Sequence, residues 1–181
     1  MRDPRPRVEL RTPAPADRGE FLAAMRASRK FHRPWLASPI TDEAFDNLLA
    51  RVRHDQFEAM LVCRREDGAI VGFINLNDIV RGSFQSAFLG YGAVAAYAGR
   101  GYMSEGLELV LARSFGELRL HRLEANIQPG NSASIALVTR AGFVCEGSSE
   151  RYLKIGGRWR DHDHWVMRAE QWRARRSRRR S

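Results

Sequence analysis

At 181 residues the chain suits one domain with a sizeable core and leaves little room for a second. A hydrophobic fraction of 44% argues against a disordered chain, and no apolar run nears the roughly 20 residues that span a bilayer, which argues against a helical membrane protein. The net charge of +9 is mostly local, because Arg173, Arg175, Arg176, Arg178, Arg179 and Arg180 account for all but +3 of it.

Residues 1–7 are charged and broken by Pro4 and Pro6, with no apolar stretch of the secretory kind. They are expected to be flexible, and the cytoplasm is the expected location. A strand is expected over 8–12 by alternation. A helix follows over 16–30, with Phe21, Leu22 and Met25 on one side. Pro34 and Pro39 make 31–40 a loop. Thr41 is a natural N-cap, and Asp42 and Glu43 suit the first turn of a helix running to about residue 54. A meander of strands occupies 57–64, 69–80 and 86–94, with turns at 66–68 and 81–83. Cys63 and Cys145 fall in apolar, strand-like segments without metal spacing and are read as reduced core thiols.

A glycine-bearing loop at 95–101 precedes a helix at 102–116, where Met103, Leu107, Val110, Leu111 and Phe115 recur at helical spacing. A strand at 122–128, a short helix at 131–141 and a hairpin of 143–155 with 158–168 complete the order β-α-α-β-β-β-α-β-α-β-β. That order points to an α+β layered sheet within a domain spanning 8–172. The arginine-rich end, 173–181, is expected to be a disordered tail that attracts RNA or another polyanion, or simply a solubilising end.

The junction Ala98-Gly99-Arg100-Gly101-Tyr102-Met103 joins a strand to a helix. Unpaired amides at a helix N-terminus, approached through glycines, form a ready phosphate site. No Lys-Ser/Thr pair follows, so this is not a P-loop. The preceding meander also argues against a dinucleotide-binding β-α-β unit.

Gly99-Arg100-Gly101-Tyr102-Met103-Ser104-Glu105-Gly106 resembles the G-x-G-x-M-[ST]-E-A stretch of GNAT acetyltransferases of the RimJ/RimL branch, with Ala98 where the superfamily prefers Gln or Arg. Three further stretches agree. Asn131-Ser132-Ala133-Ser134 followed by Gly142-Phe143 is similar to the family's N-x-x-S and G-F. His32-Arg33-Pro34-Trp35 resembles its H-L-x-P-W element. The run from Glu146 to His162 resembles its closing hairpin.

This resemblance implies a GNAT fold, with a mixed, mostly antiparallel sheet splayed at an acetyl-CoA cleft and flanking helices. It also implies acetyl-CoA as cosubstrate. The backbone of Gly99, Arg100, Gly101, Tyr102 and Met103, with the Ser104 hydroxyl, would hold the CoA pyrophosphate. Asn131 would hold the pantetheine arm, and Ser134 would lie near the sulfur. The strand through Tyr91, Gly92, Ala93 and Val94 would admit the thioester and offer oxyanion donors. His32, Trp35 and Asn126 would face the amine substrate.

Many family members place a tyrosine acid seven residues after the motif asparagine. Here that position is Val138, which leaves Ser134 as the group nearest the leaving thiolate. Glu124 is the leading candidate for the base. Asp78 and His32 are outsiders, and the hairpin position that carries a glutamate in some relatives holds Leu153. His162 and His164 share a strand face with Asp163 on the other, so no metal is expected.

The leading function is acetylation of a protein or peptide N-terminal α-amine, of the ribosomal-protein type. The alternatives are acetylation of a small amine such as an aminoglycoside, amino acid or polyamine, and a non-catalytic module that binds CoA or RNA. The partners expected are the amine substrate and, through the arginines, RNA or the ribosome; a membrane is not expected, and a homodimer is compatible with the reading.

Overall fold

A computed structural model describes residues 5–180. β1 (Val8–Arg11), β2 (Glu58–Arg64), β3 (Ile70–Val80) and β4 (Ser86–Ala93) pair antiparallel in succession. β5 (Arg122–Ile127) lies parallel to β4. The hairpin of β6 (Val144–Ile155) and β7 (Arg158–Arg168) then closes the sheet, β7 pairing with β5, in the order β1-β2-β3-β4-β5-β7-β6. The mixed, mostly antiparallel sheet expected from the sequence is therefore present.

Period-two alternation sorts the central strands between two helical layers. In β2, Met60 and Val62 join a core with Leu107, Val110 and Leu111 of α4 (Tyr102–Ala112) and Val138 of α5 (Ser132–Ala141). Leu61 and Cys63 join a second core with Phe21, Leu22 and Met25 of α1 (Arg18–Ala27) and Phe45 of α3 (Asp42–Arg51). The Thr41 hydroxyl accepts from Ala44 N–H at 3.2 Å, the expected cap of α3.

Four expectations are corrected. The helix expected over 16–30 is divided into a 3-10 turn (Pro15–Asp17), α1 and a short α2 (Arg29–His32). The division falls at the fully buried Ser28, whose hydroxyl donates to Ala24 O at 2.8 Å and accepts from Ala95 N–H at 2.9 Å. Cys63 is buried, but Cys145 is exposed, because the outer strand β6 is covered poorly. The arginine-rich end, expected to be disordered, continues a helix, α6 (Ala169–Arg180). Trp172 anchors it against Phe115, with ring centroids 5.6 Å apart, and Arg175 pairs with Glu108. Of the expected flexible stretch, residues 1–4 lie outside the described residues, whereas Arg7 is ion-paired with Glu105.

Gly72 of β3 lies beneath the first turn of α4. A Cβ there would come within 2.4 Å of Met103 Sδ and 2.7 Å of the Gly92 carbonyl oxygen. The thioether can swing aside, but the backbone oxygen of β4 cannot move without disturbing the sheet. Overpacking of this kind costs about 1–3 kcal/mol. Gly72→Ala should lower stability by that amount in urea denaturation, and an unchanged midpoint would show that the two layers are not held this closely.

Candidate active site

β4 and β5 are hydrogen-bonded only from Ser86–Arg122 to Leu89–Ala125 and then separate. A cleft of about 720 Å³ opens from this fork. Val94 N–H donates to Val71 O at 2.9 Å. By alternation, the amides of Tyr91 and Ala93 therefore face away from β3, toward the gap left by β5. They are the donors available for an oxyanion. Val94 itself belongs to the second core and does not line the cleft.

The loop before α4 forms one wall. Gly99 has φ +76° and Gly101, the N-cap of α4, has φ +85°. Both values are costly for residues with a Cβ. Left-handed residues flanking a helix start turn successive N–H groups toward one point, and the helix N-terminus adds partial positive charge. Gly99, Gly101, Tyr102, Met103 and Ser104 line the cleft here. Arg100 does not. Its guanidinium lies 5.8 Å from the Tyr97 ring centroid, and its carbonyl accepts from Arg7 Nη2 at 2.9 Å. Arg7 also donates from its backbone N–H and Nε to the Glu105 carboxylate at 2.6 and 2.7 Å.

α5 supplies the opposite wall. Asn131 Oδ1 accepts from Ser134 N–H at 3.2 Å, so this asparagine caps its own helix while lining the cleft. The Ser134 hydroxyl is 2.5 Å from the Tyr91 hydroxyl. The sequence reading assigned Tyr91 only through its main chain. Leu89 and Tyr91 share a strand face, the one α5 covers, and that alternation was the available signal. Burial pushes the Tyr91 phenol up to about 12, against the lowering effect of the Ser134 hydrogen bond.

Glu124 is not among the cleft-lining residues. Its carboxylate accepts from Arg122 Nη2 at 2.8 Å and lies 3.2 Å from His164 Nδ1. The same Nδ1 is 2.6 Å from Asn126 Oδ1, and Asn126 does face the cleft. Among the described residues Asp78 is the one carboxylate lining it, and that residue is exposed. His32 and Trp35 line it too. His32 is buried with Nε2 2.7 Å from Ala93 O and Nδ1 2.7 Å from Ser38 Oγ, so it fixes β4 rather than offering a free nitrogen. Gln128 and Arg51, which no sequence motif marked, also line the cleft, as does Tyr152 of the hairpin motif.

A fork between parallel strands, an amide-lined loop at a helix start and an asparagine-capped second helix define a site for an acyl-CoA. The acetyltransferase (GNAT) domain model matches residues 7–144, and the chain belongs to that family: it is an acetyltransferase. It is 32% identical to the [ribosomal protein uS5]-alanine N-acetyltransferase of Escherichia coli (strain K12) over 80% of this chain and 79% of that one. Identity to the probable N-acetyltransferase YjcK of Bacillus subtilis (strain 168) is 38% over 62% of each chain. Mycobacterium smegmatis RimJ in complex with CoA-disulfide superposes with a TM-score of 0.82 at 28% identity, covering 90% of this chain and 82% of that one. Vibrio cholerae spermidine N-acetyltransferase with CoA and spermine gives a TM-score of 0.78 over 92% and 98% of the two chains. Its 20% identity shows likeness of fold alone.

Tyr91 gives a pH test. Its folded-state pKa lies above the usual value near 10, so the buried phenol stays neutral while the unfolded chain ionises. The associated stability is complete below about pH 10 and is lost as pH rises toward 12. About 2–3 kcal/mol should disappear over that window. Tyr91→Phe should remove this loss in urea melts between pH 9 and 11.5, whereas an identical slope in both proteins would dissociate Tyr91 from it.

Proposed function

We propose that the protein transfers the acetyl group of acetyl-CoA to the α-amine of a protein or peptide N-terminus, by direct attack in a ternary complex. The observation that carries this is the scarcity of carboxylates around the fork, where the exposed Asp78 is the one lining carboxylate among the described residues. Asn126, Gln128, Ser134 and Tyr91 line it, while Glu124 is committed to Arg122 and His164. At pH 7, deprotonating an α-amine costs about 1.4 kcal/mol or less, against about 4.6 for a lysine. A cleft whose one lining carboxylate among the described residues is the exposed Asp78 suits the acceptor that needs least help. Identity to a uS5-alanine acetyltransferase along most of the chain supports the same reading.

The amides of Gly99, Gly101, Tyr102 and Met103 and the Ser104 hydroxyl take the diphosphate, and Asn131 takes the pantetheine arm. The thioester carbonyl lies at the fork, within reach of the Tyr91 and Ala93 amides. Such preorganised donors commonly supply the largest share of rate enhancement in acyl transfer. As the tetrahedral species collapses, the thiolate accepts a hydrogen bond from Ser134, whose own oxygen is supported by the Tyr91 hydroxyl. A phenol near 12 remains protonated throughout, so the pair stabilises the thiolate by hydrogen bonding rather than by yielding the Tyr91 proton. Glu124 is reassigned from base to positioning residue. It holds His164, which orients the Asn126 amide toward the incoming amine, and the amine's proton leaves to water beside Asp78. The exposed arginines of α6 add a salt-dependent attraction to a polyanion such as the ribosome.

Ser134→Ala should lower kcat at least tenfold in a peptide acetylation assay while leaving acetyl-CoA affinity by calorimetry within about threefold. An unaltered kcat would take Ser134 out of the mechanism. Turnover of small amines with none of peptides would overturn the acceptor assignment.

A further inference from the structure

Beside the cleft lies a second cavity of about 380 Å³, bounded by the segment after α2 and the tip of the β6–β7 hairpin. Leu36 and Ile155 line both cavities, so they form a shared wall between this space and the acetyl-transfer cleft. Arg29, Arg33 and Arg160 line the second cavity, and no carboxylate does. Eight other arginines of the fold, Arg7, Arg11, Arg18, Arg64, Arg65, Arg113, Arg122 and Arg175, each meet an acidic side chain, and Arg26, Arg51 and Arg81 donate to neutral oxygens. Arg29, Arg33 and Arg160 form no side-chain hydrogen bond or ion pair among the described residues. The Nε of Arg160 is moreover fully buried without a partner, the one charged group in that condition among the described residues.

Leaving a buried guanidinium donor unpaired is expensive, and three adjacent cations repel one another. A carboxylate placed among them relieves both costs, because the guanidinium fork matches a carboxylate in a two-point geometry. We infer that this cavity binds an acidic side chain of the acceptor peptide, so that the preferred substrate carries Asp or Glu shortly after the N-terminal residue whose amine enters the fork. This rests on the peptide α-amine reading and refines it. An extended chain advances about 3.3 Å per residue, and because the two cavities share the wall of Leu36 and Ile155 the acidic residue is sought close to the N-terminus, at positions two to four. The same three cations act against a polyamine in the acceptor position.

The test compares kcat/KM for a set of free N-terminal peptides of one sequence, carrying Glu, Gln or Lys in turn at positions two, three and four. Glu at one position should exceed Gln by at least tenfold, chiefly through KM, and Lys should fall below Gln. Raising salt should erode the difference, since these are charge contacts at a partly wetted surface. Arg29 and Arg33 are exposed, so the double variant Arg29→Gln/Arg33→Gln should fold normally. It should compress the Glu-over-Gln preference below about threefold while leaving kcat on the Gln peptide unchanged. Arg160→Lys should retain part of the preference. Equal rates for Glu and Gln peptides, or a preference that survives the double variant, would overturn the inference while leaving peptide acetylation standing. If no peptide is acetylated but a small amine is, the parent reading falls first.

Discussion

The parallel contact between β4 and β5 is the constraint on which the site depends. It lasts only four residue pairs before the strands part. In an ordinary sheet the amides beyond Leu89 would be spent on a neighbouring strand. Here they face a cleft, and an unpaired amide can be left without severe cost only if water or a ligand takes it. The two helical layers make the separation durable. α4 is seated over Gly72 on one side of the gap, and His32 ties the Ala93 carbonyl to the α2 segment on the other.

Around that gap the sequence assigns different tasks to groups that look alike. Glu124 and Asn126 occupy the same strand face, two residues apart. Only Asn126 reaches the cleft, because Arg122 and His164 hold the carboxylate. Ser134 and Tyr91 are 43 residues apart, yet their hydroxyls meet in a partly buried contact. Position 138, where many family members carry a tyrosine, holds a valine, and a phenol from the facing strand lies against Ser134 instead. The two arrangements are not chemically equivalent, since in the proposed mechanism the phenol works through the serine.

Much of the fold was legible because it rests on periodicity. The double-sided apolar run of β2, the helical stripe of α4 and the Thr41 cap all appear where their patterns put them. The turn before α4 was legible because Gly99 and Gly101 adopt positive φ, a demand written in residue identity. What escaped depends on contacts distant in sequence. Ser28 interrupts a helical pattern for the sake of a bond to Ala95, and no local signal announces that. The α6 helix was hidden by its arginine content. Its order comes from Trp172 and from a pairing with Glu108 in α4. A composition reading sees charge there and misses the anchor. For the same reason, Glu124 could not be removed from the cleft before its partners were known.

The grip of Arg7 on Glu105 has an electrostatic meaning of its own. A carboxylate in the first turn of α4 suits the empty helix end, where it meets positive partial charge. Under the proposed function it would oppose a doubly charged diphosphate arriving at the same place. By pairing with that carboxylate and fastening the Arg100 carbonyl, Arg7 offsets the negative charge beside this proposed anion site. In that reading the segment leading into β1 is the counterion that lets one acidic residue stabilise a helix without turning away the ligand.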